Sequence, residues 1–298
     1  MIYPNFLAPI HNFTDLPFRL QCQRYGAQSA CVPLVNAQAV LNNPKKLKKL
    51  IDAHPDERNI GIQIIGNDTE KIIRSAEAVL RAYPFISYLN LNCGCPSQTT
   101  MCNGGGSAML FEPKKIFLAV SGIKRTCDIP LSVKLRVLEN RDETSRICTG
   151  IQDAGADFII IHGRTPRQGY CGVSDWDEIK RIKELLGIPV VGNGDIKDIA
   201  AGRRYVESGF CDSFMVARAA MKNPMFFSGK EPADFEGRKA LLEEYLQIFR
   251  NYLGEPRVND ARIKALQLFS GIHEATAIRD RVCRAKSIDE ITSISEGQ

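Results

Sequence analysis

Between residue 5 and about residue 228, short apolar runs rich in β-formers alternate with longer stretches of helical pattern, and this alternation constrains the fold more than any other feature. It is the mark of repeated βα units, which build parallel sheets with helices outside them. Eight runs stand out: Phe6 to Pro9, Ala30 to Val35, Gly61 to Ile65, Ser87 to Asn92, Leu131 to Arg136, Phe158 to His162, Pro189 to Gly192 and Asp212 to Ala217. Between them, stretches such as Asp68 to Ala82 and Pro113 to Arg125 open on a capping aspartate or a first-turn proline, as helices do. The runs are apolar at nearly every position rather than at every second one, so both faces of the sheet should be covered. Eight such strands predict a closed (β/α)8 TIM barrel. An open doubly wound sheet is the alternative that periodicity alone leaves standing.

A chain of 298 residues holds such a barrel, assigned to 1–230, with an appendage to spare. The stretch Ser228 to Glu236 is polar and turn-rich, and the pattern after it is purely helical, which predicts a second, helical domain over 235–298. That tail holds ten Lys or Arg and ten Asp or Glu, so the net charge of +5 belongs to the barrel. Within the tail, Arg279, Arg281, Arg284 and Lys286 form a local basic cluster interrupted by Asp280, a candidate RNA contact as well as an ordinary solvated helix face. No apolar run is long enough to cross a bilayer, and MIYPNFLAPIHNF lacks the basic start and apolar core of a signal peptide, so a cytoplasmic protein is expected. Ten cysteines scattered through a chain of this kind read as reduced thiols. Cys93, Cys95 and Cys102 cluster, but no second pair at zinc spacing follows and only four histidines exist, so no metal site is assigned.

Polar residues gather at the carboxyl ends of the predicted strands: Gln63, Asn92, Lys134 with Arg136, His162 with Arg164, Asn193 with Asp195, and Arg218. In a barrel those ends converge on one mouth, where barrel enzymes place their chemistry. A cation and an imidazole ending apolar strands, as Lys134 and His162 do, cost free energy unless something polar or anionic meets them. The turn VVGNGDI allows close backbone approach around Asn193 and Gly194, and VARAAM sets Arg218 at a helix start; at strands seven and eight such a pair makes a phosphate site. NCGCP leads into the loop QTTMCNGGGSAM, able to present a thiol over a substrate and close on it.

Taken in order, these stretches resemble the tRNA-dihydrouridine synthases. LAPIHNFTDLPFR resembles that family's opening signature, NCGCP its active-cysteine motif and GGGSAML the segment that follows, with VKLR, HGRTPRQGY, GNGDI and ARAAMKNP at the family's spacing. The tail from Arg262, RIKALQLFSGIHEATAIRDRVCRAKSIDE, resembles the family's small tRNA-recognition domain more faintly.

The resemblance implies FMN across the barrel mouth, NADPH as reductant, hydride transfer to C6 of a uracil in tRNA, and Cys95 giving a proton to C5 from the opposite face. It assigns Ala8, Pro9, Ile10, Gln63, Lys134 and His162 to the ring and ribityl surroundings, and Asn193, Gly194, Asp195, Ala217 and Arg218 to the ribityl and phosphate end. Asn92, Arg136 and Arg164 would face the uracil or nearby RNA, no metal is implied, and the enzyme is expected to work as a monomer. A uracil in folded tRNA must leave its stack to reach a recessed ring. Ile10 stands where the family often has methionine, Ala217 where it has glycine and Gln98 where it has a basic residue, and Cys93 is an unusual neighbour for the active thiol. The rival readings are an FMN barrel of the dihydroorotate dehydrogenase kind, against which HGRT and the tail speak, and a non-catalytic RNA-binding barrel, against which the intact set from Lys134 to Arg218 speaks.

Overall fold

In the computed structural model, which describes residues 2–42 and 47–295, each of the eight apolar runs is a strand. They are β1 (Asn5–Leu7), β2 (Ser29–Asn36), β3 (Ile60–Ile65), β4 (Tyr88–Cys93), β5 (Leu131–Arg136), β6 (Phe158–His162), β7 (Val190–Asn193) and β8 (Ser213–Val216). All pair in parallel and in chain order, and β8 closes onto β1 through Asn5↔Phe214, Phe6↔Met215 and Leu7↔Val216, so the barrel is closed and the open sheet is excluded. Boundaries move by one or two residues for local reasons. β1 stops at Leu7 because Ala8 still donates to the Val216 carbonyl (2.8 Å) whereas Pro9 has no N–H to continue the ladder. The two expected helices span Thr69–Ala82, with Asp68 accepting from the Lys71 N–H (3.0 Å), and Pro113–Thr126.

Two apolar layers position the mouth. Inside the barrel Phe6, Ala8, Cys31, Tyr88, Phe158, Ile160, Val191 and Met215 pack into a floor. Outside, the remaining strand residues and the buried faces of the helices form one continuous cluster. Strand residues are thus buried on both sides, which is why most of the strands show no alternation, β4 with its inward Asn90 and Asn92 being an exception.

After Ser228 the chain runs to an Asp234 cap and four helices follow among the described residues: Phe235–Leu253, Val258–Leu268, Ala275–Arg284 and Ile288–Thr292. The expected tail, 235–298, extends past these; positions 296–298 lie outside the described residues. The tail is not a loose appendage. Phe235, Leu242, Tyr245, Leu246 and Phe269 belong to the same apolar cluster as the barrel's outer helices, and Gln21 of the helix Leu16–Arg24 donates to the Leu241 carbonyl (2.8 Å). Its basic cluster is divided: Arg284 pairs with Asp280 (2.9 Å) and the half-buried Arg281 turns inward to the Ser295 carbonyl (2.6 Å), leaving Arg279 and Lys286 exposed. Among the described residues no helix is long and apolar enough to cross a membrane.

Candidate active site

The strand ends open into a cavity at the carboxyl mouth of the barrel. Its wall brings together Ala8, Pro9 and Ile10 after β1, Gln63 on β3, Asn92 and Cys95 at the end of β4, Lys134 and Arg136 on β5, His162 on β6, Asn193, Gly194 and Asp195 at β7, and Ala217 and Arg218 after β8.

On the β3–β5 side, amides form a chain across three strands. Asn92 Nδ2 donates to Gln63 Oε1, Gln63 Nε2 to Asn90 Oδ1, and Asn90 Nδ2 to Ser132 Oγ, each at 2.7 Å. Asn92 Oδ1 accepts the backbone N–H groups of Gly94 (3.1 Å) and Cys95 (3.0 Å). The Asn92 amide thus holds the Cys95 turn from a place on the cavity wall, the wall on which it was expected to face substrate. Asn90, absent from the sequence reading, was detectable as the inward residue two positions before Asn92 on the same strand.

Cys95 is half-buried, with Sγ 3.6 Å from Thr100 Oγ1 and its carbonyl accepting from the Ser107 N–H (3.0 Å). The loop docks so closely under it, at Gly106 (φ +58°), that a Cβ there would lie 2.7 Å from the Cys95 carbonyl oxygen. Cys93 is fully buried in the outer cluster, where burial pushes its thiol up, so it packs rather than reacts. Cys102 is exposed on the same loop.

On β5 and β6 the wall is cationic. Lys134 has no hydrogen-bonding or ion-pairing partner among the described residues; burial, then the Arg136 charge, push its ammonium down to about 8. Burial, then the surrounding Lys134, Arg136, Arg164 and Arg218 charges, push His162 down to about 2. Its imidazole is neutral, and Nδ1 accepts from the Arg164 N–H (3.1 Å), which leaves Nε2 as the N–H donor. Arg136 donates to the carbonyls of Gly94 (3.0 Å), Thr165 (3.0 Å) and Gly169 (2.8 Å) and lies 5.8 Å from the Tyr170 ring centroid, tying the Cys95 turn to the β6 loop. Tyr170, exposed on the cavity rim, is a second residue not singled out from sequence, although it ends the HGRTPRQGY stretch.

Arg164 is not brought to the cavity. It is 2% exposed and donates to Cys171 O (3.0 Å), Gly172 O (2.6 Å), Ser174 Oγ (3.1 Å) and Asp195, which makes it a buried tie behind the wall where a contact with uracil or RNA was expected. Asp195 bridges Arg164 and Arg218, each at 2.7 Å, and accepts the Ser174 N–H (2.9 Å). Burial pushes its carboxyl up, but the Ser174 N–H and the Arg164 and Arg218 charges together hold it below the usual range. Asp195 thus holds the Arg218 guanidinium at the cavity. In the adjoining turn the Gly194 backbone lies against Ser174. Gly194 has φ +126°, a Cβ on it would meet Ser174 Oγ at 2.0 Å, and Trp176 Nε1 fixes its carbonyl (3.1 Å). Asn193 Nδ2 donates to the Met215 carbonyl (2.8 Å), locking β7 to β8 beside it. The helix after β8, Arg218–Lys222, is only five residues long, so what it presents is the Arg218 guanidinium and first-turn N–H groups rather than a developed dipole.

A model of the dihydrouridine synthase (Dus) family matches residues 6–288. A protein named as a probable tRNA-dihydrouridine synthase from Aquifex aeolicus is 30% identical over 96% of this chain and 92% of its own length. The tRNA-dihydrouridine(47) synthase [NAD(P)(+)] of Coprinopsis cinerea is 30% identical over 84% of this chain, which spans only 40% of that longer protein. Among solved structures, 2-naphthoyl-CoA reductase in complex with 2-naphthoyl-CoA matches with a TM-score of 0.55 at 12% identity, over 75% of this chain and 49% of that one, a likeness of fold alone.

Proposed function

This chain belongs to the dihydrouridine synthase family, and from that premise we propose that it reduces uridine in tRNA to 5,6-dihydrouridine, with FMN bound in the barrel mouth and NAD(P)H as electron donor. One observation carries the reading: a half-buried thiol, Cys95, and an ammonium without a partner among the described residues, Lys134, line the same cavity.

The wall suits FMN in two ways. A half-buried cation that no anion among the described residues answers suits the electron-rich edge of a flavin ring. The Gly194 turn shares the cavity with an arginine held by Asp195, a cationic end that suits a phosphate. Ala8, Pro9, Ile10, Gln63, Lys134 and His162 would surround the ring and ribityl chain, and Asn193, Gly194, Ala217 and Arg218 the ribityl and phosphate end, with Asp195 acting through Arg218. When bound, FMN supplies hydride chemistry at the C5–C6 double bond of a uracil. The chain's own part is acid catalysis: Cys95 gives its proton to C5, and Asn92 aims it there through the turn N–H groups. His162, neutral and donating from Nε2, offers a hydrogen bond without adding charge. The extruded uracil enters from tRNA gripped outside the mouth, with residues 235–298 as the tRNA-recognition domain, residues 1–230 as the catalytic domain, and the cytoplasm as the setting.

Purified protein should be yellow, and Cys95→Ala should keep the colour while lowering dihydrouridine formation in unmodified tRNA supplied with NADPH by about a thousandfold. Wild-type turnover in that variant would remove Cys95 from its role, and a colourless wild-type protein that takes up no added FMN would overturn the cofactor.

A further inference from the structure

The segment from Ala8 to Asp15 supplies Ala8, Pro9 and Ile10 to the cavity wall, yet it has no regular structure. Thr14 ties it internally, with Oγ1 donating to the Ala8 carbonyl (3.0 Å) and accepting from the Ile10 N–H (2.9 Å). From the barrel side, the fully buried Arg19 donates to the Thr14 carbonyl (2.7 Å) while Glu57 and Asp52 hold its guanidinium. From the other side the hold comes from the tail. Lys264, on the helix Val258–Leu268 and 3% exposed, donates to the Phe13 carbonyl and pairs with Asp15 (3.2 Å). Its ammonium lies 3.9 Å from the ring centroid of Phe13, 4.7 Å from that of Phe18 and 4.9 Å from that of Tyr245. Tyr245, on the tail helix Phe235–Leu253, donates to the same Asp15 oxygen (2.8 Å).

A lysine so placed is not needed for packing, because a hydrophobic side chain of similar volume fills such a space at no desolvation cost. What only a donor provides is a fixed position for the Phe13 carbonyl, and so for the Thr14 hydroxyl that spaces Ala8 from Ile10. We propose that Lys264 is a positioning residue of the cofactor wall, so that the helical tail is a structural part of the cofactor site as well as an RNA-facing domain. The link to FMN rests on the function proposed above; the link to the Ala8–Asp15 segment does not.

The test is Lys264→Met in the full chain, read first by amide hydrogen exchange of the flavin-free protein. Exchange at Ile10, Phe13 and Thr14 should rise about tenfold, while the amides of the helix Thr69–Ala82 stay at wild-type rates. In the same variant FMN affinity should fall about tenfold and the bound flavin's fluorescence and visible spectrum should change, while tRNA affinity of the flavin-free protein changes less than about twofold. Wild-type exchange in the segment overturns the proposal, as does loss of tRNA binding with flavin binding intact. If Lys264→Met does not fold, Tyr245→Phe, which removes only the hydroxyl on Asp15, should raise exchange in the same three amides about threefold, and unchanged exchange there would equally overturn it. A wild-type protein that binds no FMN would sink the proposed function while the exchange result still decides this proposal.

Discussion

Lys134 is partly and Lys264 almost wholly withdrawn from solvent, and their surroundings are opposite. Lys264 has a carboxylate, a carbonyl and three aromatic faces around its ammonium. Lys134 sits on a wall shared with Arg136 and a neutral His162, and no anion among the described residues answers it. A cation that is fully answered joins two parts of the chain, whereas one left unanswered is held for something that arrives from outside. The same contrast divides the two neighbouring cysteines, since Cys93 is sealed in apolar packing and Cys95 stands open on the cavity.

Substitutions on each side should break this contrast if it is false. Removing the answering anion, Asp15→Asn, strands Lys264 in a buried site, and the unfolding free energy in urea should fall by about 3 kcal/mol. A loss below about 1 kcal/mol would mean that the tail lysine is solvated and ties nothing. Lys134→Met strands no partner, so the flavin-free protein should unfold within about 1 kcal/mol of wild type or at higher denaturant. FMN affinity, followed by fluorescence titration, should nevertheless drop about thirtyfold for the lost charge. Destabilisation of the flavin-free Lys134→Met protein equal to that of Asp15→Asn would make the two lysines alike.

How far the sequence showed this in advance differs between strand ends and their supports. The eight strands were legible because both faces are buried and their runs are apolar at nearly every position, and Lys134, His162, Asn193 and Arg218 line the mouth because a barrel sends every strand end there. The direction of a loop side chain has no such rule. Arg164 follows His162 by two positions, yet partners contributed by Cys171, Gly172, Ser174 and Asp195 draw it behind the wall. The commitment of Asn92 to the Cys95 turn is likewise a matter of backbone geometry that composition does not record. Lys264 is the extreme case. Residue type reads the lysine of RIKALQLF as polar surface although helical spacing sets it on the face of Ala261, Ala265 and Leu268, and the carbonyl that buries it is 251 positions away. Four basic residues read as one cluster in the tail part company for the same reason, since only the packed fold decides which find internal acceptors.

The smallest effect separates the lysines by protonation. Burial, then the Arg136 charge, bring Lys134 from its ordinary 10.5 down to about 8. Above 10.5 the side chain is neutral in the folded and unfolded chains alike, and its burial carries no charge penalty. As pH falls, the unfolded chain binds the proton first, and below about 8 the folded chain must carry the charge as well, with the penalty at its full size. Stability of the flavin-free protein should therefore gain a contribution from Lys134 as pH rises across that window, limited to about 1 kcal/mol because the ammonium faces an open cavity. The difference in unfolding free energy between wild type and Lys134→Met isolates it, since the other titrating groups are common to both proteins. Bound FMN should flatten that difference, because an electron-rich partner restores the proton affinity that burial removed. A difference that is already flat without flavin would mean that water satisfies Lys134, and the unanswered cation would lose its claim to mark a binding site.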